Sequence, residues 1–86
     1  MPGWHFTLLQ PARSYLERLP THERQRIYDA LDQLAKDPQN APLKRLHGRP
    51  EWRLRVGDQR VLLRVDRAAK LFIVTRIGPR GDIYKR

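Results

Sequence analysis

Hydrophobic residues recur with two different periods along this 86-residue chain. Near the start, Trp4, Phe6 and Leu8 alternate with polar residues, a pattern typical of a β-strand with one buried face. Alternation returns in the second half of the chain, where three further strands are predicted at about residues 52–56, 59–65 and 71–77. Short segments separate these three strands, so they are predicted to form an antiparallel meander.

Between the first strand and this meander, apolar residues recur every three or four positions, which indicates helices. The first helix is predicted to begin near Pro11, which suits a first helical position, and to end before Pro20. Thr21 is predicted to cap a second helix that runs to Lys36, where an Asp-Pro pair stops it. The two helices should form a hairpin that covers one face of the sheet.

Residues 37–50, with the sequence DPQNAPLKRLHGRP, contain three prolines and a glycine and are predicted to be a loop. The predicted fold is therefore a small α+β domain with the element order βααβββ. In this fold a helical hairpin packs on one face of an antiparallel sheet. Because so short a chain has room for a single hydrophobic core, one domain spanning residues 1–86 is expected.

The register of the central hairpin follows from a two-residue turn at Gly57-Asp58. Counting from this turn places Arg55 directly opposite Arg60. The face that can pack under the helices carries Trp52, Leu54, Val56, Val61, Leu63 and Val65. The opposite face carries Arg53, Arg55, Arg60, Leu62 and Arg64.

Like charges directly opposite each other destabilise a sheet by some tenths of a kcal/mol, so Arg55 against Arg60 is a small cost without a structural return. A bound anion would reverse the sign of this interaction. A solvated polar face is the alternative interpretation, because antiparallel sheets often expose one face to water. Phosphate binding is favoured, since this face carries four cations and a solvated face usually mixes both signs.

The net charge of +9 lies in the second half of the chain. Residues 1–42 carry five basic and five acidic residues, whereas residues 43–86 carry thirteen basic and four acidic residues. This asymmetry favours a polyanionic partner, with nucleic acid ahead of an acidic protein. With no cysteine and three scattered histidines, neither a disulfide nor a metal site is expected. Without a long apolar segment or a signal-peptide pattern, the protein is expected to be cytoplasmic and not bound to membranes.

The chain resembles the RelE-type toxins of bacterial and archaeal toxin–antitoxin pairs. The resemblance covers nearly the whole chain. It is carried by the predicted element order, the segment LKRLHGRPEWRLRVGDQRVLLRV and the ending VTRIGPRGDIYKR. The first segment is similar to the family's leucine, glycine and basic-x-basic strand pattern, and the ending is similar to its VGxRxxVY close. A RelE-like fold is therefore expected.

The resemblance implies a ribosome-dependent endoribonuclease that cleaves mRNA codons in the ribosomal A site. Arg53, Arg55 and Arg60 match the basic strand residues that hold mRNA phosphates, and Arg60 also belongs to the implied catalytic set. Arg80 matches the arginine that stabilises the charged transition state. Tyr84 matches the tyrosine proposed as general base on the ribose 2′-hydroxyl.

The implied reaction is attack of that 2′-hydroxyl on the adjacent phosphate, which leaves a 2′,3′-cyclic phosphate and a 5′-hydroxyl. It uses neither a metal nor another cofactor, and the general acid stays unassigned. The implied partner besides ribosome-bound mRNA is an acidic antitoxin protein that forms a hetero-oligomer with the toxin. Pro79 departs from the pattern, because many relatives have a histidine or lysine there that could donate a proton. Relatives also often carry a further C-terminal helix, which is not expected here.

Two alternative functions stay open. One is a ParE-like toxin of similar fold that inhibits DNA gyrase and performs no RNA chemistry. The other is a noncatalytic RNA- or ribosome-binding derivative of the fold. ParE-like chains generally lack the combination that is present here, which favours the nuclease: Arg53, Arg55, Arg60, Arg80 and Tyr84.

Overall fold

The computed structural model describes residues 3–79. Two helices lie on one side of a five-stranded sheet whose strand order is β1-β5-β4-β3-β2. The elements in chain order are β1 (His5–Leu8), α1 (Gln10–Arg18), α2 (Thr21–Lys36), a 3₁₀ turn (Pro38–Asn40), β2 (Leu43–Arg45), β3 (Trp52–Val56), β4 (Gln59–Asp66) and β5 (Leu71–Pro79). None of the helices in this part of the chain is long and apolar enough to cross a membrane.

The predicted α+β class, with both helices on one face of the sheet, is confirmed, and the sheet differs from the prediction in two respects. Residues 37–50 include the short strand β2, so the element order is βααββββ and not βααβββ. The sheet is mixed and not wholly antiparallel, because β1 lies parallel to β5 at its edge. The parallel pairing of β1 with β5 joins distant segments, which local sequence patterns do not report, and β2 is too short for its alternation to be detected.

The start of α2 also differs from the prediction. Pro20 occupies the cap position without a side-chain hydrogen bond, and Thr21 is the first helical residue. The Thr21 hydroxyl instead accepts a hydrogen bond from Arg24 Nη2 at 3.2 Å. Pro11 lies within the first two positions of α1, as predicted, where its missing N–H costs nothing.

The hydrophobic core lies between the helices and the sheet face beneath them. Trp4 stacks on Phe72 with 4.6 Å between ring centroids, and Trp52 packs against the edge of this core from β3. The buried core residues are Ala12 and Leu16 of α1, Ile27, Leu31 and Leu34 of α2, and Leu54, Val61, Leu63, Phe72, Val74 and Ile77 of the sheet. The face of the β3–β4 hairpin that the sequence assigned to the core is therefore the core face.

The β3–β4 hairpin has the predicted register, with Arg55 opposite Arg60 and Val56 opposite Gln59. Gly57 has φ +60° at the first of the two turn residues, a conformation that favours glycine. Asp58 is not among the residues with positive φ, so the turn fits type II′, one of the two turns preferred in two-residue hairpins. The turn thus fixes which residues share each face.

The β4–β5 ladder contains a bulge at Thr75. From the connecting turn, the pairing runs from Asp66 opposite Leu71 to Leu63 opposite Val74, and the next pair joins Leu62 to Arg76. Thr75 is thus the extra residue, and its hydroxyl donates a hydrogen bond to the Leu62 carbonyl at 3.3 Å. Because side chains alternate between faces, one extra residue moves Arg76 to the face opposite the helices.

Candidate nucleic-acid interface

The sheet face turned away from the helices carries six cations near the buried side chain of Leu62. We call it the basic face, and it comprises Lys44, Arg53, Arg55, Arg60, Arg64 and Arg76, with Leu62 at its centre. Asp66, at the end of β4, lies on the same side, but its Oδ1 accepts the Ala69 N–H at 3.0 Å and so caps the neighbouring turn. The face therefore presents a strongly positive surface across β2, β3, β4 and β5.

Arg60 is the most unusual residue of the basic face, because its side chain is 4% exposed. It is the one buried charged residue between residues 3 and 79. Its Nη1 donates to the Gln59 carbonyl at 3.4 Å, which is long for a hydrogen bond. The single ion pair between residues 3 and 79 joins Arg49 to Glu51 at 3.4 Å. No described carboxylate therefore neutralises the charge of Arg60.

A buried charge costs free energy unless a counter-charge and hydrogen bonds compensate for its lost hydration. Arg60 lies between Arg55 on β3 and Gly78 on β5, so one neighbour repels it and the other has no side chain. An anion bound beside these two guanidinium groups would supply the missing counter-charge, with the charge-assisted geometry that arginine favours for phosphate.

The residue before Arg60 ties this part of β4 to both helices. The Tyr15 hydroxyl of α1 donates to Gln59 Oε1 at 2.7 Å, and Gln59 Nε2 donates to Glu23 Oε1 of α2 at 3.3 Å. Because the Gln59 carbonyl accepts the hydrogen bond from Arg60, the helices support the backbone that orients this guanidinium. Sequence reasoning missed this network, since Tyr15 fits the apolar stripe of α1 and nothing local marks its partner.

Leu62 forms an apolar floor in the middle of the basic face. It is 1% exposed, although it lies on the side opposite the core cluster. Arg53 and Arg76 flank it on the neighbouring strands, while Arg60 and Arg64 flank it along β4. The aliphatic stems of arginine pack well over apolar surface while their heads stay available for ligands.

The three predicted phosphate-binding residues, Arg53, Arg55 and Arg60, lie on the same face of the sheet on neighbouring strands. Arg53 is partly buried, Arg55 is exposed, and Arg60 is buried between its neighbours on β3 and β5. The other two predicted site residues, Arg80 and Tyr84, lie outside the described residues.

Three cations of the basic face were absent from the predicted site: Arg64 was predicted on this face but outside the site, and Lys44 and Arg76 were not predicted on the face at all. Lys44 lies opposite Arg53, but it belongs to a strand of three residues inside a proline-rich segment, where alternation is too short to detect. Arg76 lies on the basic face because of the bulge, and an uninterrupted ladder would have placed it on the core face. A sequence signal for Arg76 does exist, because Arg76 continues the alternation of Phe72 and Val74, and a charged residue in line with apolar residues indicates an irregular register.

A cavity of about 490 Å³ lies on the other side of the sheet, away from the basic face. Trp4, Trp52 and Phe72 contribute to its lining, and the Arg45 guanidinium lies 5.6 Å from the centroid of the Trp52 ring. It lacks the concentration of cations that the basic face has. Between residues 3 and 79 no three histidine, aspartate or glutamate side chains are grouped so as to hold a metal.

Comparison with known proteins gives a family and a set of similar structures. Residues 7–84 match the family model described as the ParE toxin of the type II toxin–antitoxin system parDE. A comparison with curated proteins yields no match.

Among solved structures, the RelBE2 toxin–antitoxin complex of Mycobacterium tuberculosis is similar with a TM-score of 0.78 and 22% identity, over 93% of this chain and 100% of that chain. The RelE–RelB complex of Pyrococcus horikoshii OT3 is similar with a TM-score of 0.77 and 24% identity, over 92% of this chain and 97% of that chain. The isolated RelE toxin of E. coli is similar with a TM-score of 0.76 and 17% identity, over 94% of this chain and 90% of that chain. At such identities these matches establish a shared fold, and the expected RelE-like fold is confirmed.

Proposed function

The chain belongs to the ParE toxin family of type II toxin–antitoxin systems and shares the fold of RelE toxins, and we propose that it is a ribosome-dependent mRNA endoribonuclease. The observation that carries the proposal is Arg60, buried without a described counter-charge and directly opposite Arg55. An RNA phosphate in the ribosomal A site supplies the anion that this arrangement lacks. The toxin thereby stops translation.

In the proposed reaction, Arg53, Arg55 and Arg60 hold the phosphates on either side of the cleaved bond. The ribose 2′-oxygen forms a new bond to phosphorus while the bond from phosphorus to the 5′-oxygen breaks. Tyr84 accepts the proton of the 2′-hydroxyl, and Arg80 stabilises the negative charge that develops on the phosphate oxygens. The products are a 2′,3′-cyclic phosphate and a 5′-hydroxyl, with water or a ribosomal group donating the proton to the leaving oxygen.

Electrostatics and positioning supply most of the catalysis in this proposal. Preorganised cations aimed at a developing oxyanion need no reorganisation during the reaction, and removal of one such donor typically lowers kcat by about 10²- to 10³-fold. The support of Gln59 by both helices fits this requirement, because it holds the carbonyl to which Arg60 donates. No metal or other cofactor takes part.

A cognate acidic antitoxin is the proposed inhibitor and protein partner. Similar structures from M. tuberculosis, P. horikoshii and E. coli include toxin–antitoxin complexes. An acidic antitoxin segment on the basic face would neutralise Arg60 and exclude mRNA at the same time. Both activity on ribosomes and inhibition by such a partner would take place in the cytoplasm.

Gyrase inhibition is the second candidate function, and the description of the matching family model as a ParE toxin favours it. In that case the basic face would contact protein or DNA at gyrase, and no RNA bond would be cleaved. A noncatalytic RNA- or ribosome-binding protein is the third, since Pro79 cannot donate a proton where many relatives have a residue that can.

The deciding experiment adds the purified protein to a reconstituted translation reaction with a defined mRNA and maps 5′ ends by primer extension. We expect codon-phased cuts that require ribosomes and that decline by about 10²-fold in Arg60→Gln. Arg80→Ala and Tyr84→Phe should also reduce the cuts, whereas Arg13→Gln, on an exposed site of α1, should not.

Intact mRNA together with gyrase-dependent DNA breaks in a parallel reaction would overturn the nuclease proposal in favour of gyrase inhibition. Ribosome binding by the wild-type protein without any cut would favour the noncatalytic alternative. Circular dichroism of each variant distinguishes loss of the site from loss of the fold.

A further inference from the structure

We propose that Arg76 is an additional RNA-phosphate-binding residue, which acts with Arg53 across the floor formed by Leu62. The inference rests on the proposed function and extends its binding site from β3 and β4 onto β5. Arg76 is exposed and has no carboxylate partner among the described residues.

The register places these residues in one row across the sheet. Lys44, Arg53, Leu62 and Arg76 are consecutive partners on β2, β3, β4 and β5. Neighbouring strands lie about 4.8 Å apart, so the backbones of Arg53 and Arg76 are about 10 Å apart. Leu62 is buried between them, and both arginine side chains are long enough to reach over it towards one phosphate or two adjacent ones.

The bulge at Thr75 places Arg76 in this row. In an uninterrupted ladder, Arg76 would oppose Val61 on the core face, where its charge would be buried beneath the helices. The extra residue reverses the direction of the Arg76 side chain and returns Ile77 to the core, where it is 3% exposed. Bulges are frequent beside functional sites because they redirect single side chains in this way.

The hydrogen bond from the Thr75 hydroxyl to the Leu62 carbonyl stabilises this irregularity. It gives Thr75 a positioning role, since it acts on Arg76 through the shape of the ladder. Placing another cation beside Arg53 and Arg60 adds repulsion in the free protein, and a polyanion removes that repulsion.

The test measures binding of a short single-stranded RNA, methylated at its 2′-oxygens so that it cannot be cleaved, at a series of salt concentrations. For single strands, each phosphate contact contributes about 0.7 to the slope of log affinity against log salt concentration. We expect Arg76→Gln and Arg53→Gln each to reduce this slope by about 0.7. Arg76→Lys should keep the slope, because it keeps the charge.

Arg13→Gln is the matched control, since it removes the same charge from an exposed position on α1 and should leave the slope unchanged. If Arg53→Gln lowers the slope and Arg76→Gln does not, the inference about Arg76 is overturned while the proposed function stands. If the wild-type protein does not bind the RNA, the inference about Arg76 is overturned, and the primer-extension assay on ribosomes decides the proposed function separately. An unchanged thermal unfolding midpoint in Arg76→Gln would show that its lower slope reflects a lost contact rather than unfolding.

Discussion

Arg55 and Arg60 lie directly opposite each other on β3 and β4. Arg55 is exposed to solvent, whereas Arg60 is buried, with 4% of its surface exposed. Cross-strand pairs of like charge destabilise a sheet, and burial of one partner increases the cost, because the lower local dielectric strengthens the repulsion. Within the described residues neither guanidinium has an acidic partner. The pair therefore reduces the stability of the free protein, and an anion bound beside the two guanidinium groups would relieve this cost.

Replacing Arg60 with methionine should stabilise the fold and lower cleavage by about 10²-fold. The aliphatic stem is retained, while a buried charge without a described partner is removed, so the free energy of unfolding should rise by about 1 kcal/mol. Urea denaturation measures this change, and primer extension on ribosome-bound mRNA measures the loss of activity. Arg64→Met, at an exposed position of the same strand, should change stability by less than about 0.5 kcal/mol. A less stable Arg60→Met would contradict this account of Arg60.

Leu62 should behave as a core residue, although it lies on the face opposite the helices. Because Leu62 is 1% exposed, Leu62→Ala should lower the free energy of unfolding by about 2–5 kcal/mol, in the range expected for Leu63→Ala in the main core. Leu9→Ala serves as the control, since Leu9 is 45% exposed. A loss below about 1 kcal/mol for Leu62→Ala would mean that the arginine stems do not pack over it.

The Gln59 network should contribute to both stability and RNA binding. Gln59→Ala removes the acceptor of the Tyr15 hydroxyl and the donor to Glu23, and we expect it to cost about 1–3 kcal/mol. Gln25→Ala is the matched control, because Gln25 bonds to Asp29 on the exposed surface of α2 and should cost about 0.5 kcal/mol or less. RNA affinity should fall in Gln59→Ala alone, and equal affinities in the two variants would exclude a role in orienting Arg60.

Gly57 should be needed for the site as well as for the turn. Gly57 and Gly48 have φ of +60° and +73°, so alanine at either position should cost about 1–3 kcal/mol of stability. The Gly57 turn fixes the register of Arg55 and Arg60, whereas Gly48 lies outside the strands. Gly57→Ala alone should therefore weaken RNA binding in an anisotropy titration. Equal weakening by both variants would indicate a general loss of structure.

Local sequence pattern determined the helices and the two faces of the β3–β4 hairpin. Alternation and a two-residue turn depend on neighbouring positions, so the register that opposes Arg55 to Arg60 follows from the sequence alone. The same pattern placed Arg53, Arg55 and Arg60 on one face, where the structure has them. The roles of Arg80 and Tyr84 stay predictions, since they rest on the family resemblance alone.

Tertiary structure alone decided the features that depend on strand pairing beyond the β3–β4 hairpin and on packing. Lys44 joins the basic face only because β2 pairs with β3, and Arg76 only because β5 is bulged against β4. The burial of Arg60 and the link from Gln59 to both helices likewise involve residues far apart along the chain. Pairing and packing minimise the free energy of the whole chain, and that balance is not encoded in any short window of sequence.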